Sequence, residues 1–141
     1  MLIRSVKNVI AGRAVPAVAP WASIREAAEI LEQFDIGALV VIDGSRLVGL
    51  LSERDVLRKV VGQGRAPDGA KVAETMTPDP VTVHEDDPLA EAIARMEAGH
   101  FRHLPVVDAA GTCTGLLSVR DIPAEYRVMY ERFRELRGPS A

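Results

Sequence analysis

Cysteine is almost missing from this sequence, and that scarcity closes several routes at once. Cys113 is the only one in 141 residues, so no disulfide can form within the chain and no cysteine-built zinc site is available. It reads as a small, buried or half-buried strand residue. Aromatic residues are scarce too, at 4%, so a core must be made from Ala, Val, Leu and Ile. Charges are mixed along the chain, with a formal sum of −3 and no basic tract. That excludes a general nucleic-acid binder held by phosphate neutralisation, although net charge leaves a local anion site open. No apolar run is long enough to span a bilayer. Arg4 and Lys7 interrupt the apolar N-terminal stretch, which therefore does not read as a secretory signal. A cytoplasmic location is the expectation.

What is present is patterned. Hydrophobic residues make up 48% and charged residues 26%, the composition of a packed globular chain. A shift of 65 residues lays Ile24, Ala27, Ala28 and Leu31 on Leu89, Ala92, Ile93 and Met96. Both sets follow the spacing of a helix with one buried face. The same shift lays Val41-Ile42-Asp43 on Val106-Val107-Asp108. After one extra residue, Gly49-Leu50-Leu51-Ser52 falls on Gly115-Leu116-Leu117-Ser118. The chain is a tandem repeat.

Each copy predicts a short strand (Val15 to Val18; Val81 to Val83), a helix, two strands and a second helix. Ser23 and Glu26 form a capping-box pattern at the start of the first helix. Asp87 before Pro88 marks the corresponding start in the second copy. Gly37 and Gly99 are expected to end these helices. The strand pairs are predicted at Ala38 to Ile42 with Arg46 to Leu51, and at His103 to Val107 with Thr112 to Leu117. Asp43-Gly44 and Asp108 to Gly111 supply the turns. Further helices are expected to begin at Ser52 and at Ser118, and Gly62 to Gly69 reads as the linker. A copy of roughly 60 residues buries too little surface to be comfortable alone. Two copies stacked through their sheets would share one core, with pseudo-two-fold symmetry.

Three stretches are specific enough to suggest a family. They are Val72 to Val83, which contains Thr77 and Pro78, then Arg102-His103-Leu104-Pro105-Val106-Val107-Asp108, and Gly115-Leu116-Leu117-Ser118-Val119-Arg120-Asp121. The last recurs as Gly49-Leu50-Leu51-Ser52-Glu53-Arg54-Asp55. From about Val6 to Asp121 the chain resembles a pair of cystathionine-β-synthase-type (CBS) domains, a Bateman module. The resemblance implies an α/β (α+β) fold of two tandem β-α-β-β-α repeats. Residues 1–66 would form the first repeat and 67–124 the second, with a C-terminal helix and tail at 125–141. It also implies a regulatory rather than catalytic role, often as a homodimer. The ligand would be an adenine nucleotide, S-adenosylmethionine or an NAD-type molecule, bound between the repeats, and no cofactor would be required. The first copy has Val40 where the second has Pro105, a residue that lines the adenine site in the family. Both copies have Ser where Thr is also common.

Physical chemistry gives these residues a plausible task. A strand turning into a helix presents unpaired N–H groups and about half a positive charge to a phosphate. Ser52 and Ser118 add a hydroxyl, and Arg54 and Arg120 add a guanidinium. Asp55 and Asp121 can accept hydrogen bonds from ribose hydroxyls. Backbone groups near Ala38 and Leu39, or near His103 and Leu104, could read the base. Ser-x-x-Asp is equally a helix cap, and the sequence leaves both readings open. His100 and His103 read as strand or cleft residues rather than metal ligands, and no catalytic triad is assigned. Val128, Met129, Phe133 and Leu136 form an apolar stripe on a terminal helix that Gly138-Pro139 would stop. That stripe would pack on its own core or on a dimer mate. The sequence thus supports a sensor of adenosine-containing ligands acting on an unidentified protein partner, with no nucleic acid or membrane involved. The alternative is a structural, protein-interaction module with vestigial sites.

Overall fold

The computed structural model describes residues 4–137. The helix α1 (Val6–Ile10) leads to β1 (Ala17–Val18), α2 (Ile24–Phe34), β2 (Ala38–Asp43), β3 (Arg46–Ser52) and α3 (Glu53–Lys59). After a 3-10 turn at Val61–Gln63 come α4 (Val72–Thr75), β4 (Thr77–Pro78), β5 (Val83–His84), α5 (Leu89–Gly99), β6 (His103–Val107) and β7 (Cys113–Ser118). A 3-10 turn at Val119–Asp121 precedes α6 (Ala124–Arg137). The strands form two sheets, ordered β1-β2-β3-β4 and β5-β6-β7. In each, a parallel pair is followed by an antiparallel hairpin with a register shift, at Val41/Ile42 and at Val106/Val107. The tandem α/β repeat expected from the sequence is therefore present.

Apolar periodicity explains the two cores. Ile24, Ala27 and Leu31 of α2 meet Leu39 and Val41 of β2 and Leu51 of β3. Leu89, Ala92, Ile93 and Met96 of α5 meet Leu104, Val106 and Leu117 in the same way. Each fully buried leucine contributes about 2–3 kcal/mol relative to exposure. Ala38 and Val40 are as deeply buried, at 1% and 0% exposure, yet belong to neither core. Strand side chains alternate between faces. Ala38 and Val40, like the buried Pro105, therefore point away from the helices. The repeats meet near this face: a methyl group on Gly37 would lie 3.4 Å from His103 Nε2.

Several local expectations are corrected. Gly37 and Gly99 do not terminate the helices; Asp35 (φ 50°) and His100 (φ 57°) adopt the left-handed conformation instead. Asp tolerates that conformation because its short side chain bonds locally. Gly99 serves packing, since a Cβ there would run into the Phe101 ring. Asp87 does not cap α5. Pro88 holds the cap position, and Asp87 Oδ2 accepts from His84 N–H at 3.0 Å. The helix expected from Ser118 is a single 3-10 turn. Pro123 holds Ile122 in an extended conformation (φ −83°, ψ 119°), and α6 starts afresh beyond it. On α6, Tyr126 packs against the second core while Val128 and Met129 are exposed. The side chains of Phe133 and Leu136, and the Gly138-Pro139 stop, lie outside the described residues.

The lead-in segments are exchanged between repeats. Val6 and Ile10 of α1 belong to the second core, and Ala70 and Val72 to the first. β4 pairs with β3, Thr77 opposite Leu50 and Pro78 opposite Gly49. The glycines of the repeated motif admit this exchange. A Cβ on Gly49 would collide with Met76, and one on Gly115 would meet Ile10 Cδ1 at 2.5 Å.

Candidate functional site

Ser52 ends β3 and Ser118 ends β7, so each Ser-x-x-Asp motif begins where the strand turns away. Ser52 N–H donates to Asp55 Oδ2 at 3.0 Å, and Asp55 N–H donates to Ser52 Oγ at 3.1 Å. Ser118 N–H donates to Asp121 Oδ2 at 2.8 Å, while Ser118 Oγ accepts from Arg120 N–H at 3.2 Å. Capping is thus realised at both motifs. It uses Oδ2 of each Asp and leaves Oδ1 for another partner.

A cation meets that second oxygen at each motif. Asp55 Oδ1 lies 3.2 Å from Lys59 Nζ, which also donates to the Thr75 carbonyl at 3.0 Å. Asp121 Oδ1 lies 2.8 Å from Arg13 Nη1. Thr75 and Arg13 come from the exchanged lead-in segments: the second motif takes its counter-ion from the opposite repeat, whereas the first uses its own Lys59, which the opposite repeat's Thr75 holds. Thr77, beside Leu50 on β4, stands on the side of the first motif. Arg54 and Arg120 are exposed at the turns. Because α3 has seven residues and the Val119–Asp121 turn three, the dipole available to a phosphate is smaller than two full helices would supply.

The base-reading candidates are placed on strands. Leu39 and Leu104 bury their side chains completely in the two cores, leaving only their backbone for recognition. β1 pairs with β2 from Val40 onward, and β5 with β6 from Val106 onward. Ala38-Leu39 and His103-Leu104-Pro105 therefore have a strand neighbour on one side only. Equivalent bonds pin the two ends: Glu53 N–H to Gly37 O, and Val119 N–H to Arg102 O, both 2.9 Å.

His103 stands where the repeats meet. Burial pushes its pKa below the ordinary value of 6.5, helped by Arg102 and Arg120 and opposed by Glu53 and Asp121. His100 is exposed, and no metal-binding group of three His, Cys, Asp or Glu occurs among the described residues. Burial pushes the Cys113 thiol up, and its Sγ donates to the Gly115 carbonyl at 3.3 Å. Two shallow hollows lie elsewhere, on α2 beside Arg25 and Pro67 and between the hairpin ends near Arg46 and Asp79. Both are open to solvent and include neither motif.

Sequence reading missed Arg13, Lys59, Glu53 and Gly37. Arg13 is 108 residues from its partner, so no local pattern could reveal it. Lys59, four residues after Asp55, was within reach of ordinary helix spacing.

The profile of the CBS domain matches residues 6–62 and 72–125. The chain belongs to the CBS-domain family. It is 37% identical over 114 residues to the 17.7 kDa protein in the bps2 3′ region of Acidianus ambivalens, covering 80% of this chain and 68% of that one. The CBS domain protein PAE2072 from Pyrobaculum aerophilum, solved in complex with AMP, superposes with a TM-score of 0.82 at 28% identity, covering 92% and 99% of the two chains. The CBS domain pair of protein MJ0100, solved with 5′-methylthioadenosine and S-adenosyl-L-methionine, gives 0.76 at 26% identity, covering 93% and 99%. Other curated relatives are longer than the match: the chain spans 19%, 62% and 59% of three of them. No helix among the described residues is long and apolar enough to cross a membrane.

Proposed function

We propose that this CBS pair is a cytoplasmic regulatory module that binds an adenosine-containing ligand between its repeats and thereby alters its affinity for a protein partner, acting as a homodimer. The observation that carries this reading is the paired construction of the motifs. Each presents a Ser-x-x-Asp turn with a segment of the other repeat beside it, Arg13 on Asp121 in the second and β4 on β3 with Thr75 on Lys59 in the first, so a ligand there would touch both halves. Related pairs holding AMP, or S-adenosylmethionine and methylthioadenosine, lend support. In this reading Asp55 and Asp121 accept from ribose hydroxyls. Ser52, Ser118, Arg54, Arg120 and Thr77 serve the phosphate or ribose. Ala38-Leu39 and His103-Leu104-Pro105 border the base. A ligand shifts the module only as far as its affinities for two arrangements differ.

Thermal unfolding against AMP, ADP, ATP, GTP, S-adenosylmethionine and NADH tests the proposal. Ligand at a hundred times its Kd adds roughly 2.7 kcal/mol, a rise of several degrees. A rise limited to adenosine compounds and lost in Asp121→Ala or Asp55→Ala is expected; a flat panel would overturn it. One observation favours the rival reading of a protein-interaction module: both oxygens of each motif Asp already have partners within the chain.

A further inference from the structure

We infer that Arg13 is the specificity-determining residue of the second motif, a displaceable counter-ion of Asp121 that selects phosphorylated ligands over uncharged nucleosides. The inference rests on the adenosine-sensor reading above. One oxygen of Asp121 accepts from Ser118 N–H and the other pairs with Arg13, so a ribose that binds this carboxylate lies beside the guanidinium. A neutral nucleoside competes for Oδ1 and offers Arg13 no anion in return. A ligand with a phosphate offers Arg13 a replacement anion, so the pair is exchanged rather than lost.

The surroundings fit that exchange. The side chain of Asp121 is 16% exposed and that of Arg13 51%, so the acid is set in the protein while the cation reaches in from outside. Arg13 sits in an exposed turn beside Gly12, whose φ of 78° belongs to the left-handed region. Arg102 and Arg120 act on His103 from the same neighbourhood, with Glu53 and Asp121 opposing them. The first motif lacks this device. Counted three residues on from the matching contacts of Ile10 and Met76 with their glycines, Arg13 corresponds to Asp79. Lys59, the cation there, is tied to Thr75 O as well as to Asp55.

The test is calorimetric titration of AMP and of adenosine into the full chain carrying Asp55→Ala, which confines ribose binding to the second motif. With Arg13 present, AMP binds at least about tenfold tighter than adenosine, the scale of one charge-assisted hydrogen bond. Arg13→Gln brings the two affinities to within about threefold, by weakening AMP and strengthening adenosine, and Arg13→Lys restores most of the preference. An unchanged ratio in Arg13→Gln, or equal loss of both ligands, overturns the inference. If neither ligand binds any form, nor the chain with Asp55 intact, the sensor reading itself falls and takes this one with it.

Discussion

The two closing motifs share Gly-Leu-Leu-Ser-x-Arg-Asp, yet the fold gives them different settings. The first opens a seven-residue helix whose own Lys59 serves its aspartate. The second opens one turn, halted before Pro123, and its aspartate is served by an arginine from the far end of the chain. Glu125 stands four residues after Asp121, where the first copy has Lys59. Both copies have the cap, and each has a counter-ion from a different place in the chain. Identical local sequence therefore fixes the backbone turn and leaves the electrostatics to the tertiary fold.

The largest expected effects test the exchange of lead-in segments. Gly49→Val and Gly115→Val should each cost about 1–3 kcal/mol through overpacking, read as a lower urea midpoint. Met76→Ala should relieve Gly49→Val and not Gly115→Val, and Ile10→Ala the reverse. Rescue in the opposite pairing would break the exchanged topology.

Next in size are the caps. Ser52→Ala should cost about 1 kcal/mol because a helix depends on it. Ser118→Ala should cost less, with only one turn to lose. Equal losses in chemical unfolding would erase the distinction drawn between the motifs.

A smaller difference concerns pH. His103 corresponds to Ala38 in the first copy, so only the second carries this group. Its pKa is lowered on folding, so the unfolded chain binds a proton that the folded chain resists. Stability should fall as pH drops through about 6.5 toward the folded value, and recover above it. His103→Gln should flatten the change in urea midpoint between about pH 7.5 and about pH 5.5; an undiminished change would count against the assignment. The smallest effect belongs to Cys113, which should react with a thiol reagent far more slowly in the native chain than in urea. Comparable rates would contradict its burial.

The repeat and the hairpin strands were legible because period and alternation are properties of contiguous sequence. His103–Val107 occurs with the expected bounds. The helix ends were less legible: Gly37 and Gly99 looked like stop signals, but Asp35 and His100 take the left-handed positions, and Gly99 instead makes room for the Phe101 ring. The break at Pro123 was present in the sequence and outweighed by the repeat pattern, which predicted a helix from Ser118 as from Ser52. The motif positions were visible, whereas Arg13 on Asp121 depends on lead-in segments crossing between repeats, a long-range event without a local signature.

The most direct measurement is calorimetric titration of AMP into the unaltered chain, repeated with Asp55→Ala, Asp121→Ala and both together. The account predicts saturable binding that weakens at least about tenfold when the occupied site loses its aspartate, and disappears in the double variant while the fold persists. No saturable binding to the ligand-free chain, or binding indifferent to both aspartates, would contradict it.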